Sequence, residues 1–454
     1  TPVETPIATP VETPIATPIE TPIATPVETP IETAMATPTE IVRYINKTYT
    51  GTVLVDQIQA GEGYVNQISG CHFIDIHDTA RNYYIAVKRE IPIFDNVFEN
   101  TEFVTTGEKA GTIWSAFNGK LTITNCKFIR ISGKGGEGYI FTSSGQNNIQ
   151  LTMNQCEVID CGPVTGEHPL ITILNTGSSI KCYECNFTFR DQTRNHRVLD
   201  LNNNDATFDK CLFENCGENT IYLSKNTNEQ NPRGTFNFTN NRVISNEGKF
   251  INAMKIRNQP IITGNTFERT TIQDSYYIEI IHNQELIEFN NNTFSDITTS
   301  GTTESSGGGI ASFIDYTNSE FTIKYIGCKF YDINNNHNTS PSYQGGAIEH
   351  GYSEGSNLNT HIEIVDCEFK RNKAKKHGGA VCIRTSKSIL INGCTFESNT
   401  ANEESISSRL LFENFDNNKN NGFGGAIYLT ASFNSNDQDY YCSGITITGC
   451  QFKD

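Results

Sequence analysis

The sequence predicts an all-β solenoid, a right-handed, single-stranded parallel β-helix of about 13 coils, preceded by an extended polyproline-II-like stalk. Three observations carry that expectation. A short phrase centred on Cys or Asn recurs thirteen times, mostly 24 to 39 residues apart. Each copy holds two period-two apolar stretches that are out of step with one another. A Thr-Pro tetrapeptide fills residues 1–40.

The repeat comes first, because a fixed period of this size means stacked supersecondary units. Nine copies place a cysteine in the central slot: Cys71, Cys126, Cys156, Cys185, Cys211, Cys328, Cys367, Cys394 and Cys450. Four place asparagine there: Asn96, Asn241, Asn265 and Asn292. Three residues before the slot the side chain is always apolar or aromatic, as at Ile123, Phe238 or Ile391, and five before it is nearly always apolar. Two residues after the slot stands Phe in eleven copies and Val at Val158 and Val243.

Alternation with period two marks each stretch as a strand with one buried face. The odd spacing between the two stretches requires a corner that resets which side faces inward. Gly70, Asp95, Asn125, Asn240, Gly264, Asn291, Gly327, Asp366, Gly393 and Gly449 stand at that corner, and these residue types tolerate left-handed backbone angles. Strand, corner, strand and a variable return make one coil, and coils stack about 4.8 Å apart. The Phe positions then form an internal column, each ring contributing about 1.5–3 kcal/mol by burial. Parallel crossovers are right-handed in nearly all cases, which sets the expected hand. The β-helix is read over 41–454, a pectin-lyase-like solenoid, with a polar insertion at 402–421 inside the 56-residue step from Cys394 to Cys450. Because "GCQFKD" (449–454) ends just after a strand, the β-helix is read as truncated at its C-terminal end, its last coil either open for stacking or continuing in a longer protein.

Residues 1–40 are a different material. Proline at every fourth position excludes a helix or a central strand and favours polyproline II, which at 3.1 Å per residue spans roughly 120 Å. A four-residue repeat on a threefold helix turns successive threonines to different sides. That makes Thr1, Thr5, Thr9, Thr13, Thr17, Thr21, Thr25, Thr29, Thr33 and Thr37 candidates for O-glycosylation. Pro2, Pro6, Pro10, Pro14, Pro18, Pro22, Pro26 and Pro30 are candidates for modification in the same repeat. An unmodified flexible linker and a proline-directed phosphorylation segment are the competing readings.

Composition narrows the partners. A net charge of −17 with no basic cluster argues against nucleic acid. No apolar run reaches the eighteen or so residues of a membrane span. The chain opens within the tetrapeptide repeat, without Met or a signal pattern, and is read as processed or partial. Five N-glycosylation sequons begin at Asn46, Asn186, Asn237, Asn291 and Asn338. The register turns Asn186, Asn237 and Asn291 outward, as a glycan acceptor requires, so an extracellular chain is expected, secreted or on a cell surface.

The candidates for chemistry are few. Metal ligation needs Cys and His converging at short spacing; "CYEC" (182–185) is the close pair, and the register explains both members as core. No metal and no cofactor is expected. The cysteine column is read as stacked core, with bridges between adjacent coils (Cys156–Cys185, Cys185–Cys211, Cys367–Cys394) as the alternative. Cys161 and Cys216 share a register two coils apart and are expected not to be bonded to each other. "FIDIHD" (73–78) loosely resembles the Asp-His strand ends of pectate lyases, which makes Asp75, His77 and Asp78 the catalytic candidates if there is an active site. Neither a calcium-binding carboxylate face nor a paired Asp-Asp accompanies them, and no catalytic residue is assigned. "EHGYSEG" (349–355) and "KKHGGA" (375–380) read as turns.

From about residue 307 the chain resembles the polymorphic membrane proteins of chlamydiae and related surface families of trichomonad protists. The motifs are "GGAI" at 345–348 and 424–427, "GGAV" at 378–381 and "GGGI" at 307–310, with "FKRN" (369–372) and "FESN" (396–399). The resemblance implies a right-handed β-helix used in adhesion, with glycans or cell-surface proteins as partners; the earlier coils lack the double glycine. The Thr-Pro repeat also resembles glycan-coated tetrapeptide-repeat fibrils, which implies self-association. Intact-glycopeptide mass spectrometry of residues 1–40 is expected to find the threonines occupied by sugar. Bare threonines would remove the stalk reading.

Overall fold

Alternation, corner and column define the coil that the structure adopts. The computed structural model describes residues 42–453, apart from 51–57, 61–64, 75–76, 79–84, 88–90, 95–96, 100–101, 105–112, 116–118, 135–139, 144–147, 164–168, 174–176, 191–196, 203–204, 225–233, 257–258, 274–276, 283–285, 302–310, 316–319, 338–345, 351–359, 376–377, 384–385, 402–405, 408–409, 414–425 and 431–443. Residues 1–41, and with them every stalk position named above, lie outside the described residues, as do Asp75, Asp95, Asn96 and Asn338.

The fold is a parallel β-helix. Its first wall is a sheet of fourteen parallel strands running in chain order from Val42–Ile45 to Gly444–Thr448. That is one coil more than the thirteen copies imply. The extra copy is "YINKTY" (44–49): Tyr44 lies opposite Ile68, Asn46 turns the corner and Tyr49 lies opposite Phe73. Lys47 in the slot and Tyr in place of Phe hid it from alignment.

After each corner a short strand forms the second wall, from Thr48–Thr50 to Gln451–Lys453, three residues long except at Thr266–Gln273 and Thr293–Gly301. Its second residue is the column Phe or Val, buried at the described positions from Phe73 to Phe396 and 38% exposed at Phe452. Six rings, Phe267, Phe294, Phe330, Phe369, Phe396 and Phe452, stack at 4.8–5.2 Å within 9° of parallel. Val243 interrupts the column below them. There Phe250 and Phe238 move in against Phe213 and Phe267 at 5.3–6.2 Å, filling the volume the smaller side chain leaves.

The first corner is left-handed, as the residue types require. Gly70, Asn125, Asn240, Gly264, Asn291, Gly327, Asp366, Gly393 and Gly449 have φ between 52° and 69°. Gln155, Glu184 and Lys210 adopt the same angles at consecutive corners, where a side chain costs about 1–2 kcal/mol. Their side chains bond one another, Gln155 Nε2 donating to Glu184 at 3.0 Å and Lys210 Nζ to Glu184 at 3.5 Å. Gly393 is needed for a second reason, since a Cβ there would lie 2.1 Å from Asp366 Oδ1 of the preceding corner.

The slot is defined by a hydrogen bond. From Cys156 onward each slot side chain reaches the carbonyl that lies three residues before the slot in the preceding coil. Asn241 Nδ2 donates to Phe208 O at 3.0 Å, Asn265 to Phe238 O at 2.7 Å and Asn292 to Ile262 O at 2.8 Å. Cysteine makes the equivalent contact through its thiol, Cys328 to Phe289 O at 3.2 Å and Cys394 to Ile364 O at 3.4 Å. Asparagine adds a second link. Asn265 Oδ1 accepts the main-chain N–H of Asn241 at 2.8 Å, and Asn292 Oδ1 that of Asn265 at 3.0 Å. Cys and Asn thus share the slot because both donate to the same carbonyl.

A second left-handed corner follows, which sequence reading did not anticipate. Arg130, Asp160, Asn215, Ser245, Arg269, Asp296, Asp332, Arg371 and Ser398 have φ between 50° and 56°. The next residue is buried, an isoleucine at Ile131, Ile297 and Ile333, and at Cys161, Asn372 and Asn399 it repeats the slot chemistry. Asn372 Nδ2 donates to Phe330 O, and Asn399 Nδ2 to Phe369 O, both at 2.9 Å. Cys161 donates its thiol to Phe128 O at 3.2 Å. Asn372 and Asn399 are the last letters of "FKRN" and "FESN", so that motif is a second asparagine ladder.

The third wall holds ten strands from Ile58–Ala60 to Ala311–Asp315, then Ile348–His350, Val381–Ile383 and Ile427–Thr430. In the Gly-Gly-Ala motif the backbones close in: a Cβ on Gly346 would lie 1.7 Å from Gly379 O. "EHGYSEG" does not begin as a turn, since Glu349 and His350 are strand residues opposite Cys382 and Ile383. The 402–421 insertion is not purely a loop either. Its Leu410–Glu413 pairs in parallel beyond Ile427–Thr430, Leu410 opposite Ile427 and Phe412 opposite Leu429. It therefore fills the third-wall place of the fourteenth coil. Ile406–Ser407 runs antiparallel to Thr400–Ala401.

Replacing Asn265 by Ala orphans the buried N–H of Asn241 and is expected to cost about 1–3 kcal/mol. Asn265→Cys, which restores a donor and a weak acceptor, should fall between Ala and wild type. Denaturant midpoints of the three proteins test the order, and equal midpoints for Ala and Asn would refute the ladder's role.

Candidate functional site

Stacking in register puts like positions of successive coils in straight lines, so outward residues form columns too. On the third wall Ile171, Leu199, Ile221 and Ile251 point into the core. The residues beside them point outward and lie opposite one another in sequence: Thr172 with Asp200, Asp200 with Tyr222, and Tyr222 with Asn252. Although outward, Thr172 is 1% exposed and Asn252 7%. Asp200 and Tyr222 are half-buried.

The electrostatics of this column are local and balanced. The Arg197 guanidinium lies 5.1 Å from the centre of the Tyr222 ring and 3.9 Å from the Asp200 carboxylate, a cation on an aromatic face beside its counter-ion. Asn252 Nδ2 donates to Asn219 Oδ1 at 3.0 Å. Asn219 is held in left-handed geometry, φ 52°. Two buried atoms of the column's own side chains have no hydrogen-bond partner, Thr172 Oγ1 and Asn252 Oδ1, and beside them Nε of Arg197, a residue otherwise engaged by Asp200 and Tyr222, is a third. Such atoms are uncommon in folded proteins and call for an occupant.

A second cluster decorates the first wall. His361 Nδ1 lies 2.5 Å from Ser388 Oγ and its Nε2 2.5 Å from Glu320 Oε1. Lys387 Nζ donates to the same Glu320 oxygen at 2.6 Å. The hydrogen bonds from Lys387 and His361 hold the Glu320 carboxyl below its ordinary range. Serine, histidine and carboxylate in a row suggest nucleophilic chemistry, but the N–H groups of a wall strand point along the sheet into its ladder. Nearby, Lys324 pairs with Glu363 at 2.7 Å. On the second wall Tyr331 donates to Glu368, with Lys370 5.6 Å above its ring.

The residues singled out from sequence fall as follows. Cys71, Cys126, Cys156, Cys185, Cys211, Cys328, Cys367 and Cys394 are buried and Cys450 is half-buried. All thirteen described cysteines are free thiols, with no bridge between the adjacent-coil pairs and none between Cys161 and Cys216. Burial pushes the thiols of Cys161 and Cys216 above their ordinary range, the opposite of an activated nucleophile. Among the described residues no group of three His, Cys, Asp or Glu converges as a metal site. Asn46, Asn186 and Asn291 are exposed and Asn237 is half-buried; Asn46 and Asn291 are themselves left-handed corner residues. His77–Asp78 form a two-residue strand paired with Glu102–Phe103.

The third-wall column escaped sequence reading because its distance from the slot varies. Ten residues separate Cys211 from Ile221, and thirty-three separate Cys394 from Ile427. Alignment on Cys or Asn cannot place strands across such returns.

No protein-family model matches the chain. No curated protein matches it either. Among solved structures it is similar to one described as a new PL6 alginate lyase complex with trisaccharide, 8% identical, with a TM-score of 0.25 over 87% of this chain and 86% of that one. A likeness of that size carries no argument about chemistry.

His350 yields a pH prediction. It is 8% exposed, its Nε2 lies 3.4 Å from Tyr325 Oη, and burial lowers its pKa to about 4. The unfolded chain, with histidine near 6.5, binds more protons between these values. The stability it contributes is therefore complete above pH 6.5 and is lost as pH falls towards 4, by about 1.4 kcal/mol per pH unit. Denaturant midpoints at pH 7, 5.5 and 4.5 should show this slope in wild type and a shallower one in His350→Gln. Identical slopes would refute it.

Proposed function

We propose that the protein is an extracellular, non-catalytic β-helix glycoprotein of adhesion or surface-coat formation, presented on a Thr-Pro stalk O-glycosylated at Thr1 to Thr37. The observation that carries this reading is the division of labour between the faces. The cysteine and asparagine side chains repeated from coil to coil turn inward and bond main-chain carbonyls. Polar columns and exposed sequon asparagines are left facing solvent. Such a solenoid offers long, straight, polar surfaces, which suit recognition of glycans or proteins. The motifs shared with chlamydial and trichomonad surface families support the same role.

Two other readings have an observation behind them. The tetrapeptide repeat supports a structural subunit of a glycan-coated fibril. The fold it shares with polysaccharide-cleaving enzymes, together with Asp75 and His77, supports a lyase or hydrolase. One preparation separates the three: full chain secreted from a eukaryotic host. Adhesion predicts single particles by electron microscopy, saturable binding to cells or immobilised glycans, and no turnover of alginate or pectate. Filaments would favour the fibril reading. Turnover abolished by Asp75→Ala and His77→Ala would replace both.

A further inference from the structure

We propose that the third-wall column of Thr172, Asp200, Tyr222 and Asn252 is a binding site for an extended, uncharged oligosaccharide. This names a ligand class and a place for the binding role proposed above, and it rests on that reading.

Two orphan atoms mark the place. Thr172 Oγ1 and Asn252 Oδ1 are buried on an outward face with no protein partner, one able to donate and accept, the other to accept only. Their natural complement is a group that does both, a hydroxyl. Between them, reached from solvent, stand a carboxylate and a phenol ring, Asp200 and Tyr222. Pyranose rings present alternating hydroxyls and apolar C–H faces. Carboxylate and amide oxygens meet the first, and an aromatic ring the second.

Register sets the ligand's shape. The four residues occupy four consecutive coils, so they form a line with steps of about 4.8 Å. That line suits an extended polymer lying along the wall and offers a compact ligand only part of itself.

Charge sets its class. Arg197, the cation of the column, is matched by Asp200 at 3.9 Å and packs on Tyr222. The chain as a whole carries −17, and that field repels a polyanion. The site therefore favours neutral sugars over polyuronates. This separates it from a lyase groove, where the acid group of the substrate must be bound.

The test uses the full chain and calorimetric titration with cellohexaose, maltohexaose and an alginate hexamer. The expected result is saturable binding of at least one neutral hexamer, with alginate at least tenfold weaker. Tyr222→Ala and Asp200→Ala should each weaken that binding about tenfold or more. Thr172→Val keeps the side-chain shape and should leave the melting midpoint unchanged while also weakening binding. Absence of binding to both neutral hexamers, or preference for alginate, overturns the proposal. So does binding indifferent to Thr172→Val and Tyr222→Ala, which would mean that the orphan atoms hold water. If cells still bind the wild-type chain when the hexamers do not, the column is wrong and adhesion stands. If neither binds, both fall.

Discussion

Everything in this coil depends on one main-chain carbonyl, the one three residues before each slot. At that point the chain leaves the first wall through a left-handed corner. A thiol or an amide from the following coil reaches across to bond it. The contact fixes the corner's geometry, aligns the next coil and turns the aromatic column inward. Asn performs the task with a strong donor and returns an acceptor to the slot N–H of the coil before. Cys performs it with a weak donor but adds apolar volume beneath the rings. The chain uses the two in blocks. Asparagine holds three successive coils at Asn241, Asn265 and Asn292, and cysteine the four from Cys328 to Cys450.

Main-chain bonds on both sides of the second corner, such as Asp332 N to Lys370 O and Lys373 N to Ile333 O, explain why so few glycines are needed there. Arg, Asp, Asn and Ser accept left-handed angles at nine described positions. Ladder bonds on both sides of the corner over-determine the conformation, so strain of about 1–2 kcal/mol per residue is offset locally. Where side chains would collide, glycine returns, as at Gly393 against Asp366 and Gly346 against Gly379.

How much of this was legible in the sequence follows from which constraints are local. The first wall, first corner and Phe column lie within eight residues of one another, so periodicity and turn chemistry reveal them together. The slot's meaning was only half legible. Cys and Asn in one column signal a shared requirement, but the carbonyl they share belongs to another coil. The second corner was hidden because its residues look like ordinary surface, with "FxxN" and the shared register of Cys161 and Cys216 as its traces. The third wall, and with it the candidate binding column, sits beyond returns of unequal length. Its significance arises from register between strands, a property no single stretch of sequence contains.

The strand Leu410–Glu413 carries a consequence for how the molecule is made. Its described main-chain partner, Ile427–Thr430, is synthesised after it, and in the stack it lies on the far side of that partner. Up to Ser388–Asn392 each first-wall strand can settle on one already in place, so that wall can grow in the order in which the chain emerges. At the fourteenth coil that order fails: a strand made early has to wait for a later one before it has anything to pair with. Placing that strand is therefore a docking event rather than another turn of winding. Until it happens, the exposed edge of Ile427–Thr430 is the place where a second chain could lend its own strand.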